Sequence, residues 1–210
     1  MTDMHARGTG AAEAVPVRRS FLQLVEGDIT TLEVEAFVFY ARPTLELGSG
    51  FGSAIARRGG PAIKKALDAI GSIATTEAVV TTGGNLKARH IVHAAGPAFQ
   101  EEQLEDKLRV TIANALRRAE ERGITQIAFP PMGAGFYGVP LPLSAKLTIE
   151  AIAAHLSNST GIREVVLCAN DGRERAAFEA PLAALRSARL QAAHGSDEQG
   201  ARLEANSLTP

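Results

Sequence analysis

The stretch Phe129-Pro130-Pro131-Met132-Gly133-Ala134-Gly135-Phe136-Tyr137-Gly138-Val139-Pro140 holds the residues best suited to gripping a ligand. Glycine carries no Cβ, so the backbone at Gly133, Gly135 and Gly138 can reach positive φ and turn its N–H groups toward one point. Amides gathered in this way attract an anion, typically a phosphate. Phe136 and Tyr137 place a flat face beside that anion site. A tight surface turn is the competing reading of any one such loop. A second glycine loop, Leu47-Gly48-Ser49-Gly50-Phe51-Gly52-Ser53-Ala54-Ile55, shifts the balance toward a binding site.

Both loops need elements to aim them. Ile127-Ala128-Phe129 reads as the end of a buried strand, and Leu143, Leu147, Ile149, Ile152 and Leu156 mark the helix that follows the loop. Upstream, Phe21–Glu26 predicts a strand ending in Gly27-Asp28-Ile29-Thr30, where Asp28 can cap a short helical turn. Ala36–Tyr40 is nearly continuous in apolar side chains, as a strand covered on both faces should be. Helices are predicted over Phe51–Arg58, from Pro61 to Gly71 and over Glu102–Arg122. Further strands are predicted at Ala78–Thr82, His90–Ala95 and Glu164–Ala169. A last helix is expected from Asp171 toward Arg186, broken or kinked at Pro181. Residues 1–19 and 189–210 are polar or small and aperiodic, and are expected to be flexible tails around a domain at residues 20–188.

Strands alternating with helices imply a layered α/β domain with a largely parallel sheet. In such sheets ligands bind outside the carboxyl ends of the strands. Asp28, both glycine loops and the Ala169-Asn170-Asp171 turn each follow a strand. If those strands are parallel, all four meet at one edge of the sheet.

Other chemistries find little support. Gly133 to Gly138 fits the spacing of a dinucleotide fingerprint, but it follows several strands, and Asn158 stands where the ribose-binding acid belongs. There is no phosphate-loop GxxxxGK[ST] pattern and no GxSxG nucleophile elbow. His5, His90, His93, His155 and His194 lack metal-ligand spacing, so no metal and no cofactor are expected. His93 is read as packing within its strand. A net charge of −1 argues against a broad nucleic-acid or membrane surface. The single cysteine, Cys168, excludes an internal disulfide and fits a reducing compartment. No apolar segment resembles a secretory signal or a membrane span, so a cytoplasmic location is the expectation. The oligomeric state is left open by the sequence, with a monomer favoured.

Taken in order, Gly27-Asp28-Ile29-Thr30, the first glycine loop, His93-Ala94-Ala95-Gly96-Pro97 and Phe129 to Pro140 resemble the macrodomain family, which includes Appr-1"-p processing proteins. The resemblance covers roughly Phe21 to Leu185. It implies a three-layer α/β/α sandwich with a mixed, mostly parallel six-stranded sheet that binds ADP-ribose in a cleft at the strand ends. By position, Asp28 would accept from the adenine amino group, with Ile29 beside it. Gly48, Ser49, Gly50, Phe51 and Gly52 would surround the distal ribose and diphosphate. Gly133, Ala134, Gly135, Phe136 and Tyr137 would clamp the diphosphate from the other side, with Tyr137 bordering the distal ribose. Asn170 would touch the adenosine part.

The sequence departs from the pattern where hydrolysis occurs. Many hydrolytic macrodomains carry Asn-Ala-Ala-Asn after the second strand, and the aligned residues are Phe39-Tyr40-Ala41-Arg42. Arg42 replaces an amide that donates and accepts with a cation that only donates. Arg42 and Tyr137 remain as catalytic candidates. The expectation is a protein that binds ADP-ribose or an ADP-ribosylated protein, with hydrolysis weak or absent. Two alternatives stand: an ADP-ribosyl hydrolase or O-acetyl-ADP-ribose deacetylase using a phosphate-positioned water, and a drifted fold that binds another nucleotide or a protein partner.

Overall fold

A computed structural model of the chain describes residues 14–48 and 50–207, with side chains through residue 192. The strands are β1 (Val15–Val17), β2 (Ser20–Glu26), β3 (Ala36–Ala41), β4 (Ala78–Thr82), β5 (His90–Ala95), β6 (Gln126–Phe129) and β7 (Glu164–Ala169). The helices are α1 (Phe51–Gly59), α2 (Pro61–Ile70), α3 (Leu104–Glu121), α4 (Leu141–Leu156) and α5 (Gly172–Ser207). Two 3-10 turns, Ile29–Thr31 and Gly135–Tyr137, follow β2 and β6.

The strand order is β1-β2-β7-β6-β3-β5-β4. The run from β2 to β5 is parallel throughout, and the edge strands β1 and β4 are antiparallel to their neighbours. Every residue of β3 is buried, which explains its unbroken apolar sequence in the middle of the sheet. Its side chains alternate between two cores. Val38 and Tyr40 join Leu108, Ile112, Leu116, Ile152 and Phe178 from α3, α4 and α5. Phe37 and Phe39 join Ile55, Ile63 and Leu67 from α1 and α2. The result is the expected α/β/α sandwich.

Three details differ from the sequence expectation. The sheet has seven strands rather than six. The extra strand, β1, lies within residues 1–19, where a tail was expected. Val15 and Val17 are fully buried, paired with Leu22 and Ser20. Three residues are too few to show a period, and Pro16 is tolerated because β1 is an edge strand. Pro181 does not end the last helix: α5 continues through it to Ser207, past the expected boundary at residue 189. Phe178 and Leu182, on either side of the proline, are buried in the core, so tertiary packing outweighs the lost backbone bond.

Candidate functional site

Because β2, β7, β6 and β3 run parallel, the segments after them emerge on one edge of the sheet. A cavity of about 500 Å³ opens there. Its wall contains Asp28 and Ile29 from the end of β2, and Asn170 from the end of β7. Gly48, Gly50, Phe51 and Gly52 come from the loop after β3, and Gly133, Ala134, Gly135, Phe136 and Tyr137 from the loop after β6. Arg42 lines it as well. The four sequence segments therefore meet in one place; Ser49 lies outside the described residues. Asp28 and Arg42 follow strands three positions apart in the sheet, a span of about 14 Å at ordinary strand spacing.

At the β2 end, Asp28 caps the turn Ile29–Thr31. Its Oδ1 accepts from the Thr30 amide at 2.9 Å and the Thr30 hydroxyl at 2.6 Å. Its Oδ2 pairs with Arg58, near the end of α1, and the same guanidinium nitrogen donates to Thr30 Oγ1. Burial pushes the Asp28 pKa up, but the bonds from Thr30 and Arg58 outweigh it and hold the carboxyl below its usual range. The capping role and the pocket-facing role thus coexist in one side chain.

In the first glycine loop, α1 starts at Gly50 with no side-chain cap, which leaves first-turn amides for another acceptor. Gly52 is fixed by close approach: a Cβ there would stand 1.4 Å from the Leu47 carbonyl oxygen. Opposite, Gly135 holds φ +69 at the start of the turn Gly135–Tyr137, a conformation a side chain would strain. Residues of both loops border the same space.

Aromatic rings organise the β3 end. Phe39, aligned with the first Asn of the hydrolytic motif, is buried edge-on against Phe51 at 5.2 Å and lies 5.8 Å from the His93 ring. Tyr40 is buried too; its hydroxyl donates to the Pro97 carbonyl at 2.5 Å, and its ring lies 4.5 Å from that of Tyr137. Burial, then the charges of Tyr137 and Glu101, push the Tyr40 pKa up. Tyr137 is half-buried, and burial raises its pKa while Arg42 opposes the rise. Arg42 is stacked over the exposed Phe136 ring, 5.1 Å from centroid to guanidinium carbon.

Cys168 also lines the cavity, with its thiol donating to the Gly27 carbonyl at 3.3 Å. Burial and the acids Glu174 and Asp28 push that thiol up to about 12. His93 is fully buried, with Nε2 2.8 Å from Thr81 Oγ1, and burial lowers its pKa to about 3. It packs within the sheet between Thr81 and Phe39, as the sequence suggested. Among the described residues there is no cluster of side chains able to hold a metal ion.

Sequence reasoning passed over several wall residues. Pro130 and Pro131, Glu46, and the pair Cys168 and Glu174 also border the cavity. Their signal was position: each stands within a few residues of a parallel strand's carboxyl end.

The chain is a three-layer α/β/α domain with a cleft at the carboxyl ends of its parallel strands, lined by two glycine loops. Comparison with known proteins makes this specific. The Macro domain family model matches residues 41–148, and the chain belongs to that family. A macro domain-containing protein of Cupriavidus necator is 39% identical over 161 residues, covering 73% of this chain and 93% of its own. A protein named O-acetyl-ADP-ribose deacetylase from Enterobacter sp. (strain 638) is 34% identical over 142 residues, covering 65% and 79%. Among solved structures, a glycine-to-valine mutant of the Oceanobacillus iheyensis macrodomain with ADPR has a TM-score of 0.78 and 25% identity, covering 82% of this chain and 97% of that one. No helix among the described residues is long and apolar enough to cross a membrane.

Proposed function

We propose that this protein binds ADP-ribose, free or attached to a protein, and hydrolyses its attachment weakly or not at all. The adenine amino group donates to Asp28. The diphosphate lies between the amides of the two glycine loops. The distal ribose rests near Tyr137 and Arg42. One observation carries the reading: two glycine loops more than 80 positions apart in sequence face each other across a single cavity that also exposes Asp28. The ADPR-bound Oceanobacillus structure supports it by likeness of fold. The location we infer is the cytoplasm, on the strength of a lone, unpaired cysteine.

The hydrolytic reading is the weaker one. Attack on the distal carbon requires an oriented ribose and a held water. At the place of the first motif Asn stands Phe39, whose ring is committed to Phe51 and His93. At the last stands Arg42, stacked on Phe136. Its support comes from the deacetylase relative and the retained clamp with Tyr137.

Calorimetric titration with ADP-ribose tests the proposal. Micromolar affinity, about −8 kcal/mol, is expected. Absence of binding at millimolar ligand would refute it. Turnover of mono-ADP-ribosylated protein or O-acetyl-ADP-ribose, lost in Gly135→Glu, would establish the hydrolase instead.

A further inference from the structure

We infer that Arg58, a residue outside the cavity wall, is a positioning residue that sets how the site reads the base of its ligand. The inference rests on the ADP-ribose reading above. Arg58 sits in the last turn of α1, where a cation also suits the helix dipole. It spans 30 positions of sequence to reach Asp28 Oδ2 and Thr30 Oγ1. It therefore ties the helix whose first turn borders the diphosphate space to the turn that presents the acid. Arg58 adds a polar tie between the turn that presents the acid and a helix already packed on β3 through Ile55 and Phe51.

The hydrogen-bond count makes the consequence specific. An ionised carboxylate offers about four acceptor directions. On Asp28, the Thr30 amide and hydroxyl take both at Oδ1, and Arg58 takes one at Oδ2. One direction remains on Oδ2, in a carboxylate that is locked in orientation and kept ionised. A single N–H donor on the base satisfies it. A base with a carbonyl at that place sets two acceptors against each other, and one stays unpaired. Arg58 thus sharpens the choice of a 6-amino over a 6-oxo purine. Without it, Oδ2 is free to rotate away or to recruit water, and the choice weakens.

The test compares ADP-ribose with its hypoxanthine counterpart, IDP-ribose, by calorimetry on the full chain and on Arg58→Met, which keeps an apolar stem of similar reach. Wild type should prefer ADP-ribose by about tenfold or more, the scale of one hydrogen bond to a charged group. In Arg58→Met the preference should shrink to about threefold or less on the same scale, through weaker ADP-ribose binding. The acid limb of ADP-ribose affinity should also move to higher pH, because Asp28 loses a group that lowers its pKa. Arg58→Lys, which keeps the charge, should restore most of the preference. A merely structural role would weaken both ligands equally and leave the pH limb in place. That outcome, an unchanged preference, or tighter ADP-ribose binding in Arg58→Met would overturn the inference. A wild-type protein that binds neither ligand would instead remove the functional reading beneath it.

Discussion

Arg42 lies over the face of Phe136, with its guanidinium carbon 5.1 Å from the ring centroid, so a residue from the β3 loop reaches across to the clamp loop after β6. The clamp loop itself bends at Gly135, and Phe136 is 71% exposed. The stack gives this exposed ring a partner and keeps a positive charge at the β3 end of the cavity. An exposed cation–π contact contributes about 0.5–1 kcal/mol. Phe136→Ala should therefore lower global stability by no more than about that amount. Chemical denaturation measures this, and a much larger loss would mean that the ring supports the core.

Replacing Arg42 by Asn restores an amide at the last position of the motif found in hydrolytic relatives. Phe39 remains in place, so the ribose gains one orienting partner and not two. Release of ADP-ribose from a modified protein should rise by about tenfold, the return for one added positioning contact, while affinity changes little. Rates at saturating substrate decide the matter. A rate no higher than wild type would show that the β3 end limits nothing.

Gly135→Glu puts a carboxylate and a Cβ at a positive φ, in the loop that the proposed reading sets against the diphosphate. The strained backbone should cost about 1–2 kcal/mol of stability. The added negative charge should abolish the thermal stabilisation that ADP-ribose gives wild type. A preserved ligand-induced rise in melting temperature would place the diphosphate elsewhere.

Tyr40 occupies the space that Gly96 and Gly133 leave open. A Cβ on Gly96 would stand 2.0 Å from Tyr40 Cζ, and one on Gly133 would stand 3.2 Å from the same ring. Gly96→Ala should therefore destabilise by about 1–3 kcal/mol through overpacking. In Gly96→Ala/Tyr40→Ala the clash is gone, so the two costs should add to less than their sum. Urea denaturation of the four proteins closes the cycle. Strict additivity would contradict the contact.

His93 supplies a pH signature. Burial holds its folded pKa near 3, well below the ordinary value of 6.5, so unfolding takes up a proton between these limits. Its contribution to stability is complete above about pH 6.5 and is lost as pH falls toward 3. Between about pH 6.5 and 5, ordinary carboxylates titrate little, so the decline there reports on histidines, and the comparison with His93→Gln singles out this one. The urea midpoint should fall across this window in wild type and stay flatter in His93→Gln. Equal slopes would mean that the imidazole is not desolvated. By a parallel argument, the Cys168 thiol, pushed up to about 12, should resist a disulfide reagent at pH 8 until the chain is unfolded.

The sequence alone determined what depends on neighbours along the chain. Apolar runs and their periods fixed the central strands and most helices, and glycine spacing marked both loops at the cavity. The order of those motifs was enough to raise the family resemblance. Four tertiary facts had no local signal. β1 was too short to show a period and exists because β2 offers it an edge. Arg58 meets Asp28 only because α1 folds back beside the end of β2, and Tyr40 bonds Pro97 across 57 positions because β3 pairs with β5. The direction of Arg42 was likewise open until strand order put Phe136 beside it. Periodicity reports which face of an element is buried; which side chains then meet across the fold is set by strand order and register, and those belong to the sheet as a whole.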